Sequence, residues 1–359
     1  MDDAARSFLF DLLNTASPSG FEVLGQRIWA NYMRSVVPSV ESDHYGNTWA
    51  TLQGQAGENG PKLMLEAHAD EIGFMVNQIT EGGYLRVVRI GGSDRAIARG
   101  RRVRVIGSKG EVPGVIGNTA IHIREKKDDD APEWHELFVD IGASKPKDVA
   151  AKGIRVGHPA VYSCEPDMLA KHRLVGRALD NRIGGYVISQ VVKKLGMMEK
   201  RPFATINAVN AVQEEIGGNG AKMVTYRLQP SVAIVIDVTH ATDTPGINKD
   251  KHGTVKLGAG PSITHGTANH PKVVSRLMDV AKKEGISLQH EASSRFTGTD
   301  TDDVFVSKMG IPSALVSLPM RYMHSPIEMV DIYDVERCIE LLTAFAYSIT
   351  SEDDFRVEI

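Results

Sequence analysis

The sequence predicts an α/β protein, built as a mixed-sheet α/β/α domain with a small all-β, barrel-like domain inserted in it. From about residue 175, helical patterns alternate with buried strand-like runs, which is typical of an α/β layer structure. Between residues 72 and 172, short β-type runs follow one another across glycine-rich turns, as in a small barrel or sandwich. We therefore expect one domain from residues 1–71 plus 173–359 and an inserted β domain at residues 72–172.

The spacing of apolar residues predicts the individual elements. A helix covers the first 15 residues, a second helix covers 23–37, and a short buried strand covers 62–68. The β-type runs of the inserted domain are 73–79, 84–90, 102–106, 112–116, 137–141 and 160–163, with a solvated loop predicted at the charged run 124–130. The later helices are 181–195, 220–226, 271–284, 302–309 and 335–349, and the later strands are 204–212, 231–237, 288–292 and 313–318.

Composition excludes several classes of protein. The chain has 359 residues, of which 42% are hydrophobic and 24% charged, so it is neither disordered nor a coiled coil. Its 41 basic and 45 acidic residues give a net charge of −4. A slightly acidic chain binds phosphate backbones poorly, so we do not expect nucleic acid as a partner.

The cysteines and the N-terminus indicate the compartment. Cys164 and Cys338 are too few for a disulfide framework and fit two thiols in a reducing environment. The acidic N-terminus lacks the features of a signal peptide, and no apolar run approaches the ~18 residues of a membrane helix. We expect a cytoplasmic protein with no membrane partner.

Polar clusters follow several of the predicted buried strands. In open α/β sheets ligands bind at the carboxyl ends of the strands, so the position of these clusters is informative. A buried carboxylate after an apolar strand is costly unless it is solvated, paired or bound to a metal. The clusters contain His68 with Asp70, Asp180, Glu214 with Glu215, Asp237, and His324.

Each cluster taken alone also has a simpler explanation. His68 and Asp70 could be a surface hydrogen-bonding pair, and Asp180 could cap the helix that it opens. The carboxylates at 214–215 could lie in a solvated turn, and His324 could be a loop histidine. Their chemistry becomes specific only when they are combined.

Together the clusters supply a mixed nitrogen and oxygen ligand set. Two imidazoles and three carboxylates suit zinc, cobalt or manganese better than magnesium or an iron–sulfur cluster. A pair of metals about 3.5–4 Å apart needs a bridging carboxylate, and water bound there becomes a nucleophile near neutral pH. The remaining carboxylate, Glu214, could then take the proton of that water and pass it to a leaving amine.

Five ordered motifs carry a resemblance to a known family. They are His-x-Asp-Glu-Ile-Gly-Phe-Met at 68–75, Ala-Leu-Asp-Asn-Arg at 178–182, Gln-Glu-Glu-Ile-Gly at 213–217, Asp-x-Thr-His-x-x-Asp-Thr-Pro-Gly at 237–246, and His-Ser-Pro-x-Glu at 324–328. Over nearly its whole length the chain resembles the tetrahedral (TET-type) dinuclear-metal aminopeptidases, also called glutamyl-aminopeptidase/endoglucanase-M-like metallopeptidases.

The resemblance implies a role for each metal ligand. Asp180 would bridge two divalent metal ions, with zinc or cobalt favoured and manganese as a further candidate. His68 and Asp237 would complete the site of one metal ion, and Glu215 and His324 would complete the other.

The resemblance also implies the reaction and the assembly. Glu214 would act as general acid/base for a hydroxide that bridges the metals, and Asp70 would support His68. The enzyme would remove the N-terminal residue from short peptides. It would form a homo-oligomer, a dodecamer built from dimers, with the inserted β domain serving oligomerisation.

One acidic segment raises the question of specificity. Residues 298–303 resemble the substrate-side loop of the family, and Asp300 and Asp302 are candidate substrate residues. In this interpretation Asp302 or Asp303 lines the substrate pocket and favours a basic first residue. The alternative is that Thr301 or Asp302 caps the helix that follows.

Three other functions compete with the aminopeptidase. A dinuclear-metal N-acyl-amino-acid deacylase or another amidohydrolase could use the same scaffold. A glycosidase needs two carboxylates about 5–10 Å apart and no metal. A non-catalytic shell that merely binds metal would have no use for the base Glu214.

Overall fold

The computed structural model describes residues 1–124 and 131–359. Of the charged run 124–130, only Arg124 lies within the described residues, so the loop predicted there is not described. In chain order the strands are β1 (Ser39–Ser42), β2 (Thr48–Leu52), β3 (Lys62–His68), β4 (Gly73–Ile79), β5 (Leu85–Ile90), β6 (Arg102–Gly107), β7 (Gly110–Ile116), β8 (Phe138–Asp140), β9 (Pro159–Tyr162), β10 (Asp167–Leu169), β11 (Arg173–Gly176), β12 (Thr205–Ala211), β13 (Val232–His240), β14 (Ser262–His265), β15 (Gln289–Ala292), β16 (Ser313–Arg321) and β17 (Glu328–Asp331).

The helices lie mostly outside the inserted segment. They are α1 (Asp3–Asn14), α2 (Val23–Arg34), α3 (Arg95–Ala98), α4 (Pro146–Ala151), α5 (Leu179–Met197), α6 (Asn219–Leu228), α7 (Lys249–His252), α8 (Pro271–Glu284), α9 (Thr301–Val304) and α10 (Ile332–Ser348). A single 3₁₀ turn covers Ile121–Ile123. No helix within the described ranges is both long and apolar enough to cross a membrane.

A large mixed sheet forms the centre of the molecule. Its strand order is β1-β2-β12-β3-β13-β16-β17-β11-β10, and β14 pairs with both β15 and β16. The four central strands β12, β3, β13 and β16 run parallel, and antiparallel strands flank them. Because helices cover both faces of a parallel sheet, its strands are near-continuous apolar runs. The carboxyl ends of the four strands therefore meet at one edge of the sheet.

Helices cover the sheet on both faces, as the α/β/α prediction requires. On β3, Leu63 and Leu65 belong to the large core that also contains the buried faces of α1, α5, α8 and α10. Met64 points to the opposite face, since successive strand residues alternate, and packs in a smaller core with Val224 of α6 and Val304 of α9. The predicted fold class is confirmed.

The inserted segment forms a closed barrel. Strands β4 to β9 close in the order β4-β5-β8-β7-β6-β9. The barrel has its own core, in which the Phe74 and Tyr162 rings pack edge to face with centroids 5.1 Å apart. Of the two architectures that the sequence pattern allowed, the structure is the barrel. The chain returns to the large sheet at β10.

A buried ion-pair network joins the segment where the chain enters the barrel to the end of β11 and the start of α5. Glu71, two residues before β4, pairs with Arg177, which directly follows β11, and with Arg182 of α5. Glu71 also accepts the backbone N–H of Ser17, and Arg177 donates to the carbonyl of Asn14. The entry to the barrel is thus joined to the end of β11 and to the N-terminal segment.

Some predicted boundaries are wrong. The helix predicted at 302–309 is the short α9, and the chain then turns, with Lys308 in a left-handed conformation. Asp237 does not end its strand, because β13 pairs with β16 as far as His240. The short strands β1, β2, β10, β11, β14 and β17 were not predicted, because three to five residues carry little periodicity of their own.

Candidate metal centre

The polar clusters converge at the carboxyl edge of the central strands. His68 is the last residue of β3, and Asp237 lies near the end of β13. Glu214 and Glu215 follow β12, and His324 follows β16. Asp180 comes from the start of α5, whose axis packs across β3 and β13. The parallel topology therefore brings together residues that are far apart in the chain.

Five side chains form two groups that share one carboxylate. His68, Asp180 and Asp237 form the first group, and Asp180, Glu215 and His324 form the second. Within each group the ligand atoms lie within 4.8 Å of one another. All five residues predicted as metal ligands are thus adjacent in the structure.

Asp180 lies between the two histidines. Its Oδ1 is 3.2 Å from Nε2 of His68, and its Oδ2 is 3.4 Å from Nε2 of His324. Asp180 itself is outside the regular helix, with φ −79° and ψ 106°, and it is Oδ1 of the next residue, Asn181, that accepts the backbone N–H of Gly184 at 3.0 Å. Helix capping therefore does not account for this residue.

Asp70 connects His68 to the turn that follows β12. Its Oδ1 lies 3.4 Å from Nδ1 of His68, and Ser19 donates its hydroxyl hydrogen to Oδ2 at 2.6 Å. The backbone N–H groups of Glu214 and Glu215 donate to Oδ1 and Oδ2 at 3.0 and 3.2 Å. A carboxylate beside one imidazole nitrogen fixes the ring and leaves the other nitrogen free to bind. Asp70 is therefore placed to orient His68 and the turn after β12.

The site concentrates buried negative charge. Burial, reinforced by neighbouring carboxylates, raises the pKa of Asp237 to about 7 and the pKa of Glu215 well above its usual value. For Asp180, burial acts in the same direction, but the hydrogen bonds to His324 and His68 hold its pKa below the usual value. Although burial opposes it, the charge of Glu214 and the hydrogen bond to Asp180 raise the pKa of His68.

Glu214 differs from the ligand carboxylates in its position. Its Oε2 is 3.6 Å from Nε2 of His68, and the residue belongs to neither of the two ligand groups. Burial raises its pKa to about 9. Because it lines the cavity beside these groups, Glu214 can receive or release a proton there.

The donor set fits divalent metal ions. Oε1 of Glu215 is buried and has no hydrogen-bond partner. Three buried carboxylates this close to one another are unfavourable unless positive charge offsets them. Carboxylate oxygens and imidazole nitrogens together are ligands for zinc, cobalt or manganese. Asp180 can contribute one oxygen to each group.

A cavity of about 600 Å³ opens above the two groups. Its wall contains Gly92 from the barrel, Thr239 from β13 and the loop 297–299. The predicted substrate residues Asp300 and Asp302 are not among its lining residues. Asp302 instead accepts the backbone N–H groups of residues 297 and 298, so it stabilises the loop rather than the first turn of α9.

Asp300 is only 1% exposed and faces Glu66 of β3. The four carboxylate oxygens of these two side chains are buried and have no hydrogen-bond partner. Burial raises the pKa of Glu66 to about 8, and burial together with the charge of Glu66 raises the pKa of Asp300. Sequence reasoning missed Glu66, although an acid inside an apolar strand could have identified it.

Sequence reasoning also missed the contribution of Glu328. It is buried and accepts the backbone N–H of Asp180 at 3.1 Å and that of His324 at 3.0 Å. It therefore holds the backbones of two ligands of the second group. Its presence in the motif at 324–328 was the available indication.

Several residues beside the ligands have left-handed backbone conformations. Ala178 has φ 58°, Gln213 has φ 62° and Tyr322 has φ 61°, and His324 itself has φ 61°. Such conformations are disfavoured for residues other than glycine and concentrate at functional sites. The chain thus accepts local strain at three of the segments that carry ligands.

Comparison with known proteins agrees with this geometry. Residues 46–341 match the family described as M42 glutamyl aminopeptidase. The chain is 36% identical to a lysyl aminopeptidase of Pyrococcus furiosus over 337 residues, which cover 93% of this chain and 94% of the relative.

Solved structures agree as well. The TET aminopeptidase from Thaumarchaeota archaeon SCGC AB-539-E09 superposes with a TM-score of 0.92 at 28% identity, covering 98% of both chains. A TET1 peptidase of Pyrococcus horikoshii, which can assemble into a tetrahedron or a large octahedral shell, superposes with a TM-score of 0.84 at 27% identity. That superposition covers 96% of this chain and 100% of the other.

Proposed function

This chain belongs to the M42 glutamyl aminopeptidase family, and from that premise we propose how its residues hold metal ions and release the N-terminal residue of short peptides. It is an aminopeptidase, a hydrolase that acts on peptide bonds. The alternative deacylase is not favoured, since the curated relatives are aminopeptidases.

The proposed centre holds two divalent metal ions. His68, Asp180 and Asp237 would hold one ion, and Asp180, Glu215 and His324 would hold the other, with Asp180 shared between the two sites. Zinc or cobalt are the favoured ions, with manganese as the third candidate, because the same ligands accept all three. The observation that carries this proposal is that the two oxygens of Asp180 face different histidines.

The chemistry divides between the metals and the protein. Two bound metal ions supply Lewis-acid polarisation and a nucleophile near neutral pH. Glu214 takes a proton on its carboxylate and then delivers it to the nitrogen of the leaving amine. Its burial favours the protonated form, which helps it to hold that proton between the two transfers. Asp70 keeps His68 and the backbone of Glu214 in position throughout.

Two of the competing functions fit the geometry less well. A glycosidase works with two carboxylates and no metal. Here an imidazole lies against each oxygen of Asp180, an arrangement that suits metal ligands better than a catalytic carboxylate pair. A shell that merely binds metal has no use for Glu214, which lines the cavity but belongs to neither ligand group.

For assembly, we carry over the behaviour of the structural neighbours. One of them is a TET1 peptidase that forms a dodecamer, and we propose the same dodecamer, built from dimers, for this chain. Residues 72–172 would be the domain that serves oligomerisation. We further propose a cytoplasmic location, which the two free cysteines support, and neither nucleic acid nor membrane as partner.

A peptide panel tests the proposed reaction. The protein is stripped of metal, reloaded with zinc, cobalt or manganese, and given peptides that differ only in their first residue, each free or N-acetylated. We expect metal-dependent, stepwise release from the free peptides only. Cleavage of the blocked peptides alone would indicate the deacylase, and no cleavage with metal bound would overturn the proposal. Light scattering of the same samples would report the dodecamer.

A further inference from the structure

A second cavity adjoins the metal centre. It has a volume of about 350 Å³ and shares Val238, Thr239, Thr297 and Thr299 with the wall of the first cavity. Its remaining lining comes mainly from β14, β15 and the segment 293–296. The two cavities therefore lie side by side around the same four residues.

Glu291 of β15 provides a carboxylate in this second cavity. Its Oε1 accepts the hydroxyl hydrogen of Thr239 at 2.7 Å. Its Oε2 is buried and has no hydrogen-bond partner. An unpaired buried carboxylate oxygen is unfavourable by itself, and a cationic donor would relieve this.

The carboxylate is linked to the metal centre through β13. Asp237 and Thr239 lie two residues apart, so they point to the same face of the sheet and are separated by about 6.6 Å along the strand. Thr239 then fixes Glu291. The carboxylate of Glu291 is thus bonded to the next residue on the same face of β13 as the predicted metal ligand Asp237, and that residue, Thr239, belongs to the wall that the two cavities share.

We propose that the second cavity binds the side chain of the N-terminal residue of the substrate and that Glu291 selects a basic side chain, lysine or arginine. This inference rests on the proposed function, because the first cavity must hold the reacting peptide bond. It assigns to Glu291 the basic preference that the sequence suggested for Asp302. Asp302 is committed to the backbone of the loop at 297–298.

The positive charge of Arg295, four residues after Glu291, does not remove the proposed preference for a basic side chain. Arg295 also lines the cavity, but it is exposed, and its guanidinium lies over the ring of Phe296 at 5.2 Å from the centroid. A buried charge interacts more strongly than an exposed one, because water screens the latter. Glu291 therefore determines the preference.

The test compares kcat/KM for peptides that begin with lysine, arginine, leucine or glutamate. We expect the metal-loaded enzyme to favour lysine and arginine over leucine at least about tenfold, and glutamate to be the poorest. In Glu291→Gln, which keeps the shape and loses the charge, the lysine-to-leucine ratio should fall about tenfold. The matched control Glu284→Gln, an exposed change on α8, should leave that ratio as it is.

A charge-reversal variant shows whether a changed preference could be due to misfolding. Glu291→Lys should shift the preference towards glutamate, which is a gain that an unfolded protein cannot produce. A wild-type enzyme that prefers glutamate, or a lysine-to-leucine ratio unchanged in Glu291→Gln, would overturn the inference while leaving the aminopeptidase intact. If no free peptide is cleaved at all, the proposed function fails instead.

Discussion

The carboxylate of Asp180 lies between two imidazoles, with Oδ1 3.2 Å from Nε2 of His68 and Oδ2 3.4 Å from Nε2 of His324. Each candidate metal group therefore depends on this one side chain. No other residue of the described chain belongs to both groups. Loss of the Asp180 carboxylate would therefore affect both groups.

Asp180→Asn should weaken both metal sites together. Losing an outer-sphere partner of a metal ligand already costs about 10–100-fold in metal affinity, so loss of the shared ligand should exceed 100-fold. Chelator competition would measure the affinity, and metal analysis would give the ions bound per chain. The exposed Asp279→Asn should bind both ions normally. Retention of one tightly bound ion by Asp180→Asn would contradict a bridging role.

Glu214→Gln and Glu215→Gln should fail in different ways. Glu214→Gln should bind metal but lower kcat about 10²–10⁴-fold, because the proton carrier is lost. Glu215→Gln should lose metal, since its carboxylate belongs to the second group. Metal content and kcat, measured on the same preparations, separate the two effects. Equal metal loss in both variants would remove Glu214 from its catalytic role.

Glu328→Gln should impair the metal centre without removing a ligand. A glutamine has a single acceptor oxygen, so the backbone N–H of Asp180 or of His324 loses its partner. We expect metal affinity to fall about 10–100-fold and activity to recover partly at high metal concentration. Exposed Glu199→Gln is the control. Unaltered affinity would mean that Glu328 has only a structural role.

Gly92→Ala should disturb His324 from the barrel side. A Cβ at Gly92 would lie 2.4 Å from Nδ1 of His324, closer than real contacts allow, so the ring must move. The variant should lose metal affinity while its barrel remains folded. At Gly196 a Cβ meets nothing nearer than 3.9 Å, so Gly196→Ala serves as the matched control. Circular dichroism and chelator competition together would detect the difference, and equal affinities would refute it.

Glu71→Ala should reduce stability rather than chemistry. It leaves Arg177 and Arg182 buried without their shared carboxylate. Breaking a buried ion pair by removing one partner costs about 3–5 kcal/mol. Denaturant unfolding of the variant and of the exposed control Glu81→Ala would give the difference in the free energy of unfolding. A difference below about 1 kcal/mol would show that the network is dispensable.

The central strands and the ligand set could be predicted because their information is local. Runs such as 232–236 are buried on both faces and show as continuous apolar sequence, and each ligand lies beside such a run. Parallel topology then brings the strand ends together. The order of the motifs completed the prediction of the ligand set.

The other residues of the site could not be predicted, because their roles depend on contacts between residues that are distant in the sequence. Glu328 acts through the backbones of two residues, one of which lies 148 positions away. Gly92 reaches His324 from the turn after β5, and a glycine in a turn carries no sign of that contact. Glu291 becomes informative only when β15 is seen beside the second cavity. The preference for a basic residue therefore could not be assigned to the correct carboxylate from sequence.

The ion pair between Glu71 and Arg177 has a mechanical consequence. Glu71 lies in the connection that enters the barrel and Arg177 follows β11 of the large sheet, so this pair fixes the entry of the barrel to the α/β domain at one point. That point is adjacent in the chain to Asp70, which orients His68. A displacement of the barrel would thus act on the same short segment that positions His68.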